Sequence, residues 1–139
     1  MNVPAKKLLV PMDGSESALK ALKWAAKNVP AAVVLMLNVQ PAMPSSRFVS
    51  KGMIAEHQRR NADEALAPAR ALIQRSRLDA RIFTAIGEPS ATIVAFSNRH
   101  RCTGIVMGSR GLGRIAGLML GSVAAKVIYL AKCPVTIVK

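Results

Sequence analysis

Short apolar runs alternate with longer stretches of helical periodicity along this chain, and that alternation limits its fold more than any other feature. Such a pattern predicts an α/β architecture around a parallel sheet. Lys7 to Met12 carries Leu8, Leu9 and Val10 without a break, as a strand buried on both faces does. From about Ser15 to Asn28 the spacing predicts a helix. Ala18, Leu22, Ala25, Ala26 and Val29 form its inner stripe, and Lys20, Lys23 and Lys27 face outward. Pro30 marks its end. Ala32 to Val39 reads as the second strand, and Pro41-Ala-Met-Pro44-Ser-Ser opens a loop.

A second helix is expected from about Lys51 to Arg77, with Ile54, Ala62, Ala65, Leu66, Ala69, Leu72 and Ile73 on its inner face. Pro68 should kink it, because proline removes one backbone hydrogen bond. Ala80 to Ala85 is a less apolar strand that belongs at the periphery. Gly87-Glu88-Pro89 starts a third helix, with proline near its first position, running to about His100. Gly104 to Met107 is the fourth strand. A fourth helix follows Gly121, with Val123, Val127 and Leu130 on one face, and Val135 to Val138 is the fifth strand. With no linker, repeat or low-complexity tract, residues 1–139 are expected to form a single domain.

Composition narrows the function classes. Hydrophobic residues make up 51% of the chain but aromatics 4%, so the core must be aliphatic. Two cysteines, Cys102 and Cys133, lie beside separate strand patterns, and no CxxC occurs. They read as small reduced thiols of a cytoplasmic protein. With His57 and His100 as the two histidines, no zinc-ligand set can be assembled. The apolar run after Lys6-Lys7 is interrupted at Asp13, too early for a secretory leader. The longest uncharged helical candidate, Ile115 to Ala125, is too short to span a bilayer.

The net charge of +13 could mark a polyanion partner or a solvated basic surface around an anion site. The basic residues run from Lys6 to Lys139 and are not interleaved with aromatics for base stacking. That distribution argues against nucleic acid as the functional partner.

The chemistry concentrates where strand meets glycine. Ile105-Val106-Met107 stops at Gly108-Ser-Arg-Gly111, and Gly121-Ser122 then opens a helix. Strand, glycine loop and helix N-terminus together form an anion-binding arrangement, because glycines admit close backbone approach and unpaired amides favour negative charge. The first strand ends in Pro11-Met12-Asp13-Gly14-Ser15, whose simplest role is a turn plus helix cap. Ligands of open parallel sheets sit outside the carboxyl ends of the strands. If strands one and four are neighbours, Asp13 and Gly108 face each other across that crevice. A carboxylate there accepts from an exocyclic amine or a ribose hydroxyl, while the glycine loop takes phosphates.

Two competing phosphate motifs fail. No GxxxxGK[ST] occurs. Gly111-Leu-Gly113-Arg-Ile-Ala116 fits the loose dinucleotide pattern GxGxx[GA], but no Asp or Glu follows Glu88 to hold a ribose.

These segments resemble the universal stress protein family of the nucleotide-binding kind, nearly end to end. The family signature Gly-x2-Gly-x9-Gly-Ser/Thr is matched by Gly108, Gly111, Gly121 and Ser122. Lys7-Leu-Leu-Val-Pro-Met-Asp13-Gly-Ser15, Gly87-Glu-Pro89, Ile105-Val-Met-Gly-Ser-Arg-Gly111 and Cys133-Pro-Val-Thr-Ile-Val138 are family-like and in order. The resemblance implies an open five-stranded parallel sheet in the order 3-2-1-4-5, helices on both faces, Rossmann-like or flavodoxin-like. It implies ATP between strands one and four, with Mg2+ accompanying the phosphates.

Asp13 and Val39 would then address the adenine end, with Pro11 and Met12 lining that pocket. Met107, Gly108, Arg110 and Gly111 would wrap the ribose and phosphates, and Gly121, Ser122, Val123 and Ala124 would supply amides and a hydroxyl. Met12 stands where the family often has Ala, Thr or Val, which bears on pocket size. Gly104 and Ala125 stand where acidic residues are common. Residues 42–78 include the family's most variable part, so no function is read from them.

Few groups could serve as a catalytic base. Asp13 is assigned to adenine, Glu16 and Glu88 lie near loop ends, and both histidines read as structural or surface residues. The resemblance thus implies a regulatory ATP-binding module of the stress response with at most slow hydrolysis. The alternative is an ATPase switch whose nucleotide state controls dimer or partner contacts. Val135-Thr136-Ile137-Val138 would be an uncharged edge strand in that order, which predicts a homodimer built on it.

Overall fold

The structure, a computed structural model, describes residues 5–110 and 120–139. Five strands and four helices alternate: β1 (Lys7–Pro11), α1 (Glu16–Asn28), β2 (Val33–Gln40), α2 (Lys51–Gln74), β3 (Asp79–Ile86), α3 (Pro89–Arg99), β4 (Gly104–Gly108), α4 (Ser122–Leu130) and β5 (Val135–Val138). The strands form one sheet in the order β3-β2-β1-β4-β5. All pairs are parallel, with Leu9 opposite Leu35 on one side and Ile105 on the other. β1 is therefore central, which is why it tolerates no polar residue between Leu8 and Val10.

Alternation along each strand divides the core into two layers. Leu8, Val10, Met12, Val34, Met36 and Val106 pack against Ala18, Leu22 and Ala25 of α1 and Leu66 and Ala69 of α2. Leu9, Leu35, Leu37, Ile105 and Met107 pack against Ile93 of α3 and Ala124 and Val127 of α4. The helices therefore cover both faces. The alanine-rich stripe of α1 lets that helix lie close to the sheet.

Several expected details shift. α2 is a single helix through Pro68, which is exposed on its outer side, and it ends at Gln74 rather than Arg77. Its inner face also includes Gln58, buried because its amide donates to the Pro41 carbonyl at 3.0 Å. Leu130 does not face the core: it is 44% exposed, and Ala124 and Val127 are the buried positions of α4. The helix ends there, and Ala131 takes the inward place in the layer. β3 is an edge strand in which exposed residues alternate with half-buried ones, as its weaker hydrophobicity implied.

Candidate functional site

The carboxyl ends of β1 and β4 lie side by side, and each runs into a turn held by specific contacts. After β1 the Met12 amide continues the ladder by donating to Leu37 O at 2.8 Å. The Asp13 carboxylate accepts from the Ser15 amide at 2.9 Å through Oδ1. Ser15 in turn caps α1, its hydroxyl accepting from Ala18 N at 3.1 Å. Gly14 sits at φ +89°, and a Cβ there would lie 3.1 Å from Ala65 Cα of α2. Both the left-handed backbone and the close approach of α2 call for glycine. The turn-and-cap role of Asp13-Gly-Ser is thus realised, and it leaves Oδ2 of the exposed Asp13 without a partner among the described residues.

After β4, Ser109 staples the loop base. Its amide donates to Val138 O at 3.0 Å and its carbonyl accepts from Gly121 N at 2.6 Å. Arg110 N donates to the Ser17 hydroxyl at 3.2 Å, tying the loop to the first turn of α1. α4 begins at Ser122 with Gly121 as its cap, and no side chain caps it. Its first helical bond runs from Ala125 N to Gly121 O. The amides of Ser122, Val123 and Ala124 are therefore unpaired among the described residues, a source of positive potential. The Gly121 amide, expected to serve a phosphate, is engaged by Ser109 instead.

These turns enclose a crevice of about 250 Å3. Pro11, Met12, Asp13, Val39, Met107, Gly108, Arg110, Gly121, Ser122, Val123 and Ala124 all line it. Every described residue that the sequence singled out is brought to this one place. Gly111 lies outside the described residues. Ser15, Ala18, Leu37, Pro89 and Ile93 line it as well and were not anticipated. Pro89 and Ile93 could have been foreseen from Gly87-Glu-Pro89, since a helix start after β3 falls at the same end of the sheet.

The crevice lining is chemically mixed. Leu37, Val39, Pro89 and Ile93 are apolar, Asp13 brings a carboxylate, and Gly121 and Ser122 bring the start of α4, which suits an anion. Met12 lines the crevice while only 2% exposed, and it packs in the layer under α1 and α2.

Asn38 is a supporting residue that the sequence did not reveal. Buried at 1% exposure, it donates through Nδ2 to the Met12 carbonyl at 2.7 Å and accepts from Gln40 Nε2 at 2.8 Å. It fixes the peptide that leads into Asp13.

Neither histidine approaches the crevice lining. His57 is exposed on α2 beside Asn61, and His100 stacks on Phe96 with ring centroids 4.0 Å apart. Glu88 is committed elsewhere: its carboxylate caps α3, accepting from the amides of Ser90 and Ala91 and from the Ser90 hydroxyl. The bond from Ala91 N, then that from the Ser90 hydroxyl, holds its pKa below the ordinary glutamate value. Among the described residues no cluster of His, Cys, Asp or Glu could hold a metal ion. No helix among them is long and apolar enough to cross a membrane.

Comparison with known proteins agrees with this geometry. A universal stress protein of Methanocaldococcus jannaschii is 32% identical over 139 residues, covering 96% of this chain and 82% of that one. The universal stress protein UspA from Lactobacillus plantarum has the same fold, with TM-score 0.75 and 22% identity, covering 99% of this chain and 100% of that one. A universal stress protein solved in complex with cAMP superposes with TM-score 0.63 at 26% identity, covering 96% of this chain and 97% of that one. The model of the universal stress protein family matches residues 4–139, and the chain belongs to that family.

Proposed function

We propose that this protein is an ATP-binding regulatory module of the stress response that hydrolyses its nucleotide slowly at most. One observation carries the reading: a carboxylate, apolar side chains and an uncapped helix N-terminus line one crevice at the ends of β1 and β4. Asp13 Oδ2 accepts from the adenine amine, and Val39, Leu37, Pro11 and Met12 border the ring. Met107, Gly108, Arg110 and Gly111 wrap the ribose and phosphates, and the amides of Ser122, Val123 and Ala124 with the Ser122 hydroxyl take phosphate oxygens. The cAMP bound by a 26% identical relative supports an adenine nucleotide as the ligand class. Mg2+ accompanies the phosphates as part of the ligand.

Slow turnover follows from the missing base. Hydrolysis needs a positioned water and charge stabilisation. Asp13 is assigned to the adenine amine, Glu88 is consumed as a cap, and Glu16 and the histidines are not among the residues lining the crevice. With saturating Mg-ATP, turnover should stay well below the ~1 s⁻¹ at the slow end of ordinary enzymes. A rate of several per second, lost in Ser122→Ala, would favour the ATPase switch.

The same reading includes a homodimer through β5. That strand ends the sheet, and Ile128, Tyr129 and Leu130 of α4 are exposed. Pro134 O and Val138 O accept from β4, so by ladder alternation Val135 and Ile137 turn their backbone groups outward. Antiparallel pairing with a second copy would satisfy those groups by two-fold symmetry. Ile137→Pro removes an outward donor and leaves the β4 ladder its partners. Light scattering should then show dimer for the parent protein and monomer for the variant. A parent monomer at micromolar concentration would contradict the dimer.

A further inference from the structure

At the end of the sheet away from the crevice, the chain enters β4 and β5 through its two cysteines. Cys102 is two residues before β4 and Cys133 two before β5, on paired parallel strands; the register that sets Ile105 opposite Val135 extends back to Thr103 opposite Cys133, one residue from Cys102. Both side chains belong to the core layer under α3 and α4. Both also converge on one residue, Ser97. Cys133 Sγ lies 3.5 Å from Ser97 Oγ, and Cys102 is anchored to the same residue, its amide donating to Ser97 O at 2.9 Å. Neighbouring strands are spaced by about 4.8 Å, and a disulfide needs Cα atoms roughly 4.4–6.8 Å apart. The two thiols are free in the structure and differ in access: Cys102 is buried and Cys133 half-buried.

We infer that Cys102 and Cys133 are a peroxide-responsive pair that closes to an intramolecular disulfide across the start of β4 and β5. Cys133 is the attacking thiol because it is the one solvent reaches. Its thiolate attacks one oxygen of hydrogen peroxide. The S–O bond forms, the O–O bond breaks, and the departing hydroxide takes the thiol proton to leave as water. Cys133 is then a sulfenic acid. Cys102 resolves it: its sulfur attacks the Cys133 sulfur, the S–S bond forms, the S–O bond breaks, and a second water leaves with the Cys102 proton. Two thiols have lost two electrons and one peroxide has become two waters.

Cys102 is suited to resolving rather than sensing. Burial, and after it the neighbouring Cys133, raises its pKa above the ordinary thiol value, while Lys7 and the Ser97 hydroxyl act against that rise. A small-molecule thiol reopens the bridge by exchange. The site is separate from the nucleotide crevice, so its failure and the failure of the ATP reading are distinguishable.

The test is oxidation of the reduced full chain with stoichiometric hydrogen peroxide, followed by denaturation, alkylation and mass analysis. The expected product has lost both alkylatable thiols, is lighter by two hydrogen atoms, gives a Cys102–Cys133 linked peptide, and reverts with dithiothreitol. In Cys102→Ser, Cys133 should instead progress to sulfinic acid; in Cys133→Ser, Cys102 should remain fully alkylatable. Parent protein that keeps both thiols, over-oxidises Cys133 with Cys102 untouched, or links only between chains would overturn the proposal.

Discussion

Gly108→Ala should destabilise the protein by about 3 kcal/mol or more, at the upper end of overpacking substitutions. The cause is where β4 ends. A Cβ on Gly108 would fall on the Ser17 hydroxyl and lie 2.5 Å from both the carbonyl carbon and oxygen of Ser17. Two of those three atoms are backbone in the first turn of α1, so no rotamer change relieves the contact. Either β4 or α1 must move, and both walls of the crevice move with them. For a chain of this size the loss corresponds to a fall in Tm of roughly 10 °C. Ser17→Ala, which removes only the hydroxyl, should cost far less and should not rescue Gly108→Ala. Denaturant titration of the three variants checks this; parent-like stability in Gly108→Ala would mean that the strand and helix are not in contact as described.

The second large effect concerns ligand affinity with the fold intact. Gly121 is the cap of α4 at φ −70°, a conformation open to any residue. Gly121→Val should therefore fold, at a capping cost of about 1 kcal/mol. Its branched side chain would stand at the approach to the amides of Ser122, Val123 and Ala124. ATP affinity should fall by roughly 100-fold or more, about 2.7 kcal/mol. Asp13→Ala acts at the other end. A hydrogen bond to a charged group contributes about 1.5–3 kcal/mol, so ATP should weaken by at least tenfold. Its preference over GTP should shrink too, because the carboxylate that repels the guanine carbonyl is gone. Calorimetry with both nucleotides separates these effects; equal ATP affinity in the parent and Gly121→Val would sink the phosphate assignment.

The elements were legible in the sequence where local pattern and tertiary role agree. β1 is buried on both faces and reads as an unbroken apolar run, and β3, at one end of the sheet, reads as a less apolar, peripheral strand. The crevice was legible because its glycines and Asp13 are local punctuation at strand ends. What the sequence concealed depended on which way a side chain turns. Leu130 fits the helical stripe, yet α4 stops there and Ala131 takes the inward place. Asn38 sits within the buried run of β2, and its value as a support for Met12 appears only when β1 and β2 pair. Leu37 joins the site from inside the buried run of β2, and no spacing rule connects it to Asp13.

The central claim is that the crevice between the ends of β1 and β4 holds an adenine nucleotide. Mass spectrometry of small molecules released by denaturing freshly purified protein tests it most directly. The account predicts ATP, or another adenine nucleotide, released from the parent protein and missing from Gly121→Val prepared in the same way. A parent protein that releases no adenine nucleotide and binds none on addition of Mg-ATP would contradict it.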